Sequence, residues 1–363
     1  MAQVVATAAE IADTNRVSEI REGLHQQPLP FSCGAVGLWR SPNRATMTET
    51  IRDQGENFMV DDSIVSSSQA TLSQRTTTLL GVLIPFFGVI VAIVGSWGWG
   101  FSWAEFGILL GMYLATGLGI TVGYHRLFVH RSFETIRPVK FALAVLGSMS
   151  VEGPMFKWAA IHRYHHKHSD QADDPHSPHG FGGGILGVLK GLWHAHMGWM
   201  FSADPPNLGR LVRDLYKDRL LRFANRMFGV WVILGLLIPT ALGAAISGTW
   251  MGALLGFIWG GLVRIFLVHH LTWSINSVCH LWGRRPFQCG DESRNNFLCG
   301  ILGLGEGWHN NHHAFPASAR HGLRWWELDF SFYVIRGLEM LGLAWRVRVP
   351  NTKTMILKQR QLA

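Results

Sequence analysis

Four apolar stretches of close to 20 residues, set in two tightly linked pairs, constrain the fold of this chain more than anything else in it. Residues 78–97 (TLLGVLIPFFGVIVAIVGSW) and 106–123 (FGILLGMYLATGLGITVG) make the first pair, 228–247 and 251–273 the second. About 20 apolar residues wound as a helix cross the hydrocarbon core of a bilayer. Inside lipid, only a helix or a closed barrel satisfies its own backbone. The sequence therefore predicts an all-α integral membrane protein with four transmembrane helices in two hairpins. Trp97, Trp99 and Trp103 fall in the first connector and Trp250 in the second, where interfacial tryptophan belongs. Only 15% of the 363 residues are charged, below the ~25% of soluble domains.

Charge placement orients the hairpins. Neither connector carries Lys or Arg, whereas residues 124–225 carry thirteen and the stretch after 281 is basic again. By the positive-inside rule the N-terminus, the long middle region and the C-terminus face the cytoplasm. The formal net charge of +8 is spread between apolar runs and not gathered in one block. That pattern fits anionic head groups and argues against a nucleic-acid partner. Arg264 lies thirteen residues past Met251, about 20 Å along a helix, and is predicted to snorkel to the cytoplasmic interface. Residues 139–156 are apolar but contain Glu152, Gly153 and Pro154, which predicts an amphipathic helix lying on the membrane.

Residues 1–75 are polar and rich in Ser and Thr and read as a disordered N-terminal tail. They lack a secretory apolar core, and Glu10, Asp13, Glu19 and Glu22 argue against a transit peptide. Residues 76–345 read as the membrane-embedded domain and 346–363 as a C-terminal tail. Cys33, Cys279, Cys289 and Cys299 form no CxxC pair, so neither a zinc ribbon nor a disulfide framework is expected.

Histidines interrupt this apolar chain in three boxes: His125 and His130 in HRLFVH, His162, His165 and His166 in HRYHH, and His309, His312 and His313 in HNNHH. Neutral imidazole is the commonest metal-binding side chain. Residues at i, i+3 and i+4 share a helix face, so each HxxHH box can converge on one ion or straddle two. His125 and His130 are five apart, well off alignment on an α-helix. If both bind, the helix must end or bend between them, or they serve different ions. All three boxes fall on one side of the predicted membrane. Eight histidines exceed one zinc site, no Glu stands inside the boxes as HExxH chemistry requires, and calcium and magnesium prefer oxygen. Two ions with four or five nitrogens each and open positions fit better, and open iron is the setting for oxygen chemistry.

The boxes GYHRLFVHRSF, HRYHHKHSD and GEGWHNNHHAFP together resemble the three histidine boxes of the membrane fatty acid desaturases, and more narrowly their delta-9 branch of stearoyl-CoA and acyl-lipid enzymes. NSVCHLWG, at Asn276 to Gly283, resembles that branch's additional ligand motif. The resemblance spans roughly residues 75–345. It implies a cytoplasmic helical cap holding a di-iron centre, with iron ligands at His125, His130, His162, His165, His166, His280, His309, His312 and His313, and Asn276 acting through water. Asp170, Asp174 and Glu306 are candidate acceptors for the free N–H of ligand imidazoles. The activity implied is oxygen-dependent removal of two hydrogens from adjacent methylenes, giving a cis double bond at delta-9. Two Fe2+ ions and O2 are the implied cofactor and co-substrate. The implied partners are a membrane lipid or acyl-CoA and a separate ferredoxin-type or cytochrome b-type electron donor.

Two departures stand out. Ala160 and Ile161 occupy positions where animal acyl-CoA enzymes carry charged residues that grip CoA, which favours acyl-lipid. The stretch GFGGGILGVLKGLWHAHMGW adds residues around 182–193, an extra loop or small amphipathic turn. Two rival functions are a membrane di-iron hydroxylase or alkane monooxygenase and, from another class, a metal transporter. The transporter would need ligands near the membrane midplane.

Overall fold

The computed structural model describes residues 70–95 and 97–359. The stretch assigned to the N-terminal tail therefore lies outside the described residues up to position 69. Helix α1 (Leu72–Gly95) and α2 (Trp103–Val129) form the first hairpin. Then come α3 (Arg137–Ser148), α4 (Met155–His168) and α5 (Gly184–His196). Helices α6 (Phe228–Ser247) and α7 (Trp250–His280) form the second hairpin, followed by α8 (His309–Ala314) and α9 (Phe330–Met340). Four of these, α1, α2, α6 and α7, are long and apolar enough to cross a membrane. Among the described residues the only sheet pairs Glu134–Thr135 with Ala344–Trp345.

Each hairpin is closed by local chemistry. Ser102 caps α2 by accepting from the Ala104 N–H, and Glu105 reaches back to the Ser102 N–H, a capping box. Gly248 ends α6 with φ +67, a left-handed residue that glycine adopts without strain, and the Thr249 hydroxyl then caps α7 by accepting from Gly252 N–H. Beyond that turn, a Cβ on Gly243 would stand 2.0 Å from the Gly252 carbonyl oxygen, so the two backbones meet as small-residue interfaces do in lipid. Helix α7 is the central strut and packs against α1, α2 and α6. The outer faces are apolar and uncovered: Phe87 is 56% exposed, Ile233 56% and Ile246 60%.

Arg264 does not snorkel. It is fully buried and donates to the carbonyls of Gly260, Met149 and Gly235 at 3.2, 2.6 and 2.9 Å. The reason lies in α6: Pro239 has no N–H to give the carbonyl four residues back, which is Gly235. The guanidinium fills that vacancy and ties α6 and α7 to the end of α3.

The apolar run 139–156 is also not one helix. α3 ends at Ser148, Val151 and Gly153 take φ +68 and +103, and α4 begins after Pro154. Residues 346–359, set apart above as a tail, bond back to the body. Arg348 donates to Ser132 and accepts from Ala319. Helix α10 (Thr352–Lys358) ends with the Lys358 ammonium on the Ala314 carbonyl. Tyr124, Phe128, Phe133, Phe156, Leu208 and Ile335 belong to the apolar core beside the histidine helices.

Candidate metal centre

The first box is wound in an unexpected way. Residues Gly119–Val129 are π-helical, and the His130 N–H bonds to the His125 carbonyl, five residues back, at 3.1 Å. A π-turn stacks residues five apart, where an α-turn would splay them. The His125 and His130 rings accordingly lie 4.8 Å apart. The helix ends at Val129, between the two, with His130 as its C-cap, as the spacing required if both are to meet one ion.

Four elements now converge: the end of α2 (His125, with His130 following), the C-terminal turns of α4 (His162, His165, His166), the end of α7 (His280) and α8 (His309, His312, His313). Two groups of imidazoles result, each with its ligand atoms within 4.8 Å of one another. His125, His130, His162, His166 and His312 form the first, His165, His280, His309 and His313 the second. In the first, His312 Nε2 lies 3.1 Å from His125 Nε2 and 2.9 Å from His166 Nε2, and His166 Nε2 lies 3.0 Å from His162 Nε2. In the second, His280 Nε2 and His309 Nε2 are 3.0 Å apart. Nitrogens bound at right angles to one ion, each ~2.1 Å from it, stand ~3 Å apart.

Hydrogen bonds aim these rings. Glu306 accepts from His125 Nδ1 at 2.6 Å, Asp174 from His165 Nδ1 at 3.0 Å, Asp170 from His280 Nδ1 at 2.8 Å and Asp291 from His313 Nδ1 at 2.7 Å. A carboxylate on Nδ1–H leaves Nε2 bare, the tautomer a metal needs. The Nε2 atoms of His130, His165 and His313 are buried with no hydrogen-bond partner. Buried nitrogens without partners are costly, and a shared cation is the group their chemistry fits.

Electrostatics point the same way. Burial first, then the neighbouring imidazoles, hold His130, His162, His166, His309 and His312 well below the ordinary histidine range. Burial pushes His313 down to about 4, against the pull of Asp291. These rings are therefore neutral near pH 7, as ligands must be. Burial works against ionised Asp170, but the hydrogen bonds it accepts from His280, the Glu292 N–H and Ser177 hold its carboxyl at about 2.

The three acceptors expected from the sequence, Asp170, Asp174 and Glu306, all touch ligand-candidate imidazoles. Asp291 was missed, as no spacing connects it to His313. Arg126 was missed too: fully buried, it bonds Glu306 at 3.1 Å and Asp329 at 2.8 Å and so braces the carboxylate on His125. His176 and His321, outside the boxes, lie 4.3 Å from the His165 ring and 4.5 Å from the His312 ring. His168 stays apart and bonds the Tyr164 carbonyl.

A cavity of about 420 Å³ opens beside the clusters. Tyr113, Gly117 and Ile120 of α2 and Val268, Leu271 and Ile275 of α7 line it, as do His125, His162, His309 and Asn276. Trp158 lies in the same wall and stacks on His162 at 5.1 Å and 8°. Gln74, Lys157 and Asp204 give the cavity a polar part, with Lys157 paired to Asp204 at 2.8 Å.

Carboxylate-braced histidine clusters at the ends of apolar, membrane-length helices, against an apolar cavity, define a class of histidine-rich membrane proteins whose imidazoles are grouped as a metal site would need. Residues 97–348 match the fatty acid desaturase family, and the chain belongs to that family. It is 46% identical over 283 residues to the hex-5-enoyl-[acyl-carrier protein] acetylenase of Moorena producens (strain JHB), covering 77% of this chain and 88% of the relative. It is 38% identical over 282 residues to the sn-1 stearoyl-lipid 9-desaturase of Anabaena variabilis, covering 77% and 94%. With the acyl-CoA C20 delta5-desaturase of Anemone leveillei it shares 39% over 259 residues, covering 69% and 76%.

Proposed function

We propose that this fatty acid desaturase places a cis double bond at delta-9 in a saturated acyl chain carried on lipid or CoA, using two histidine-bound irons and O2. One observation carries the proposal: His125 and His162 of one cluster and His309 of the other line the same apolar cavity. A methylene chain lying there runs past both.

The first ion would be held by His125, His130, His162, His166 and His312, the second by His165, His280, His309 and His313 with Asn276 through water. Bound iron would supply the oxygen chemistry that an unactivated C–H bond demands and that acid–base groups lack. The residues of this chain do the remainder. α2 and α7 confine and align the acyl chain. Burial excludes water. Asp170, Asp174, Asp291 and Glu306 hold the Nδ1 protons of four imidazoles and so keep their Nε2 lone pairs turned inward. The helix ends that bear the histidines face the cytoplasm in this proposal, where a separate ferredoxin-type or cytochrome b-type protein delivers two electrons per turnover. Ala160 and Ile161 are buried, and Ile161 lines the cavity. With no charged side chain at those positions to grip CoA, the acyl-lipid substrate is preferred.

A second substrate class has a specific observation behind it: the 46% identical relative acts on a chain attached to acyl carrier protein. Expression in a host of known lipid profile, with products mapped on intact lipids, acyl-CoA and acyl carrier protein, separates the two. A new delta-9 alkene in lipid is the expected result. Triple bonds on carrier protein would replace the substrate assignment. An alcohol would point to a hydroxylase. Metal uptake by vesicles with no change in any acyl chain would defeat the enzymatic proposal.

A further inference from the structure

Helix α5 is the stretch that the desaturase reading leaves unused, and its polarity is inside out. Its inward side is built from Gly187, Gly191 and Ala195, all buried. Side chains at either glycine would collide with backbone, since a Cβ on Gly187 would lie 2.2 Å from the Gly182 carbonyl oxygen and one on Gly191 1.9 Å from that of Pro178. The two histidines of the helix are also turned to the protein. His194 bonds the Pro175 carbonyl at 3.1 Å, and His196 bonds Ser277 and His270 of α7, both at 3.0 Å. The outward side is apolar: Ile185 is 81% exposed, Leu186 65%, Leu189 55% and Trp193 61%. Lys190 is the only charged residue in the helix.

A helix at a water boundary puts its leucines inward and its polar groups outward. α5 does the reverse, as lipid-facing helices do. It packs against α7, itself one of the four helices apolar enough to span a membrane. Its exposures match those of the outer faces of α1 and α6, so its bare side continues a surface already suited to lipid. One tryptophan and one lysine among the aliphatics suit the depth where head groups meet acyl chains.

We infer that α5 is seated in the bilayer interface, with Ile185, Leu186, Leu189 and Trp193 among the acyl chains. The occupant of this surface is lipid. The seat has a consequence for the metal centre. The segment running into α5 carries Asp170, Asp174 and His176, and His194 holds that segment at Pro175. Lipid burial of α5 therefore anchors the loop that orients His165 and His280.

The full chain, reconstituted in phosphatidylcholine–phosphatidylglycerol vesicles, can be probed from both phases. A lipid bearing an acyl-chain diazirine is photolysed and its adducts mapped by mass spectrometry, and a parallel sample is footprinted with hydroxyl radicals from water. We expect lipid adducts on Ile185, Leu186, Leu189 or Trp193 at yields comparable to Phe87 and Ile233, with those four residues protected from aqueous radicals. Aqueous oxidation of Leu186 and Trp193 without lipid adducts overturns the inference. So does protection without adducts, which would place a second copy of the chain on this face. The same four residues changed together to serine should remove the adducts on α5 and leave those on α1 and α6.

Discussion

At the scale of single residues, the centre depends on which nitrogen of each imidazole is bare. If the assigned rings hold iron, His165→Ala should abolish new double bonds while the protein remains in the membrane fraction. Double-bond analysis of host lipids beside an immunoblot of membranes checks it. Asp291→Asn tests the brace that no motif announced. It should weaken iron binding by about 10–100-fold, read by chelator competition. The metal-free protein also carries a pH dependence. His313 titrates at about 4 when folded, against about 6.5 for an ordinary histidine. Between those values the unfolded chain binds more protons, so its contribution to stability is complete above pH 6.5 and is lost as pH falls toward 4. His162, His166, His309 and His312 shift in the same direction and add to the effect. The apo-protein melting temperature should decline steadily through that window, and a flat profile would contradict neutral buried imidazoles.

Among the elements, the junction of α6, α7 and the end of α3 is the most exacting. Pro239 leaves the Gly235 carbonyl without its helical donor, and Arg264 supplies one from the next helix. Arg264→Met should cost roughly 1–3 kcal/mol for each carbonyl left unpaired, seen as a lower melting temperature in detergent. Adding Pro239→Ala restores an N–H to Gly235, so the double variant should recover part of the loss. If it does not, the proline vacancy is not what Arg264 serves. The π-wound end of α2 has the same character. The spacing HRLFVH announces two imidazoles but not the i→i+5 hydrogen bond that brings their rings edge to face. That winding is set where the element meets α3 and α4, beyond the reach of a local pattern.

For the whole molecule, the centre joins four elements distant in sequence, so a bound ion should act as a cross-link among them. Purification under anaerobic conditions should yield two irons per chain. Stripping them with a chelator should lower the melting temperature, because ligands that bind only the folded state stabilise it. A metal-free preparation that melts at the same temperature would show that the clusters do not bind iron in the folded protein. The lipid-facing apolar surfaces of α1 and α6 bear on none of this; they set where the molecule sits, not what it holds.

Much was legible in the order of residues. Hydrophobic runs of membrane-spanning length determine helices by themselves, since lipid offers the backbone no other partner. The clustering of histidines in three boxes was enough to name eight candidate ligands, because metal-binding side chains come in recognisable local groups; His280 was named only through the resemblance of NSVCHLWG to a family motif. Tertiary structure alone decided the partition of those ligands into sets of five and four, the carboxylate that braces His313, the burial of Arg264 and the inverted face of α5. Each of these depends on which backbone and side-chain atoms of distant segments come within 3 Å of one another, and local periodicity carries no information about that distance.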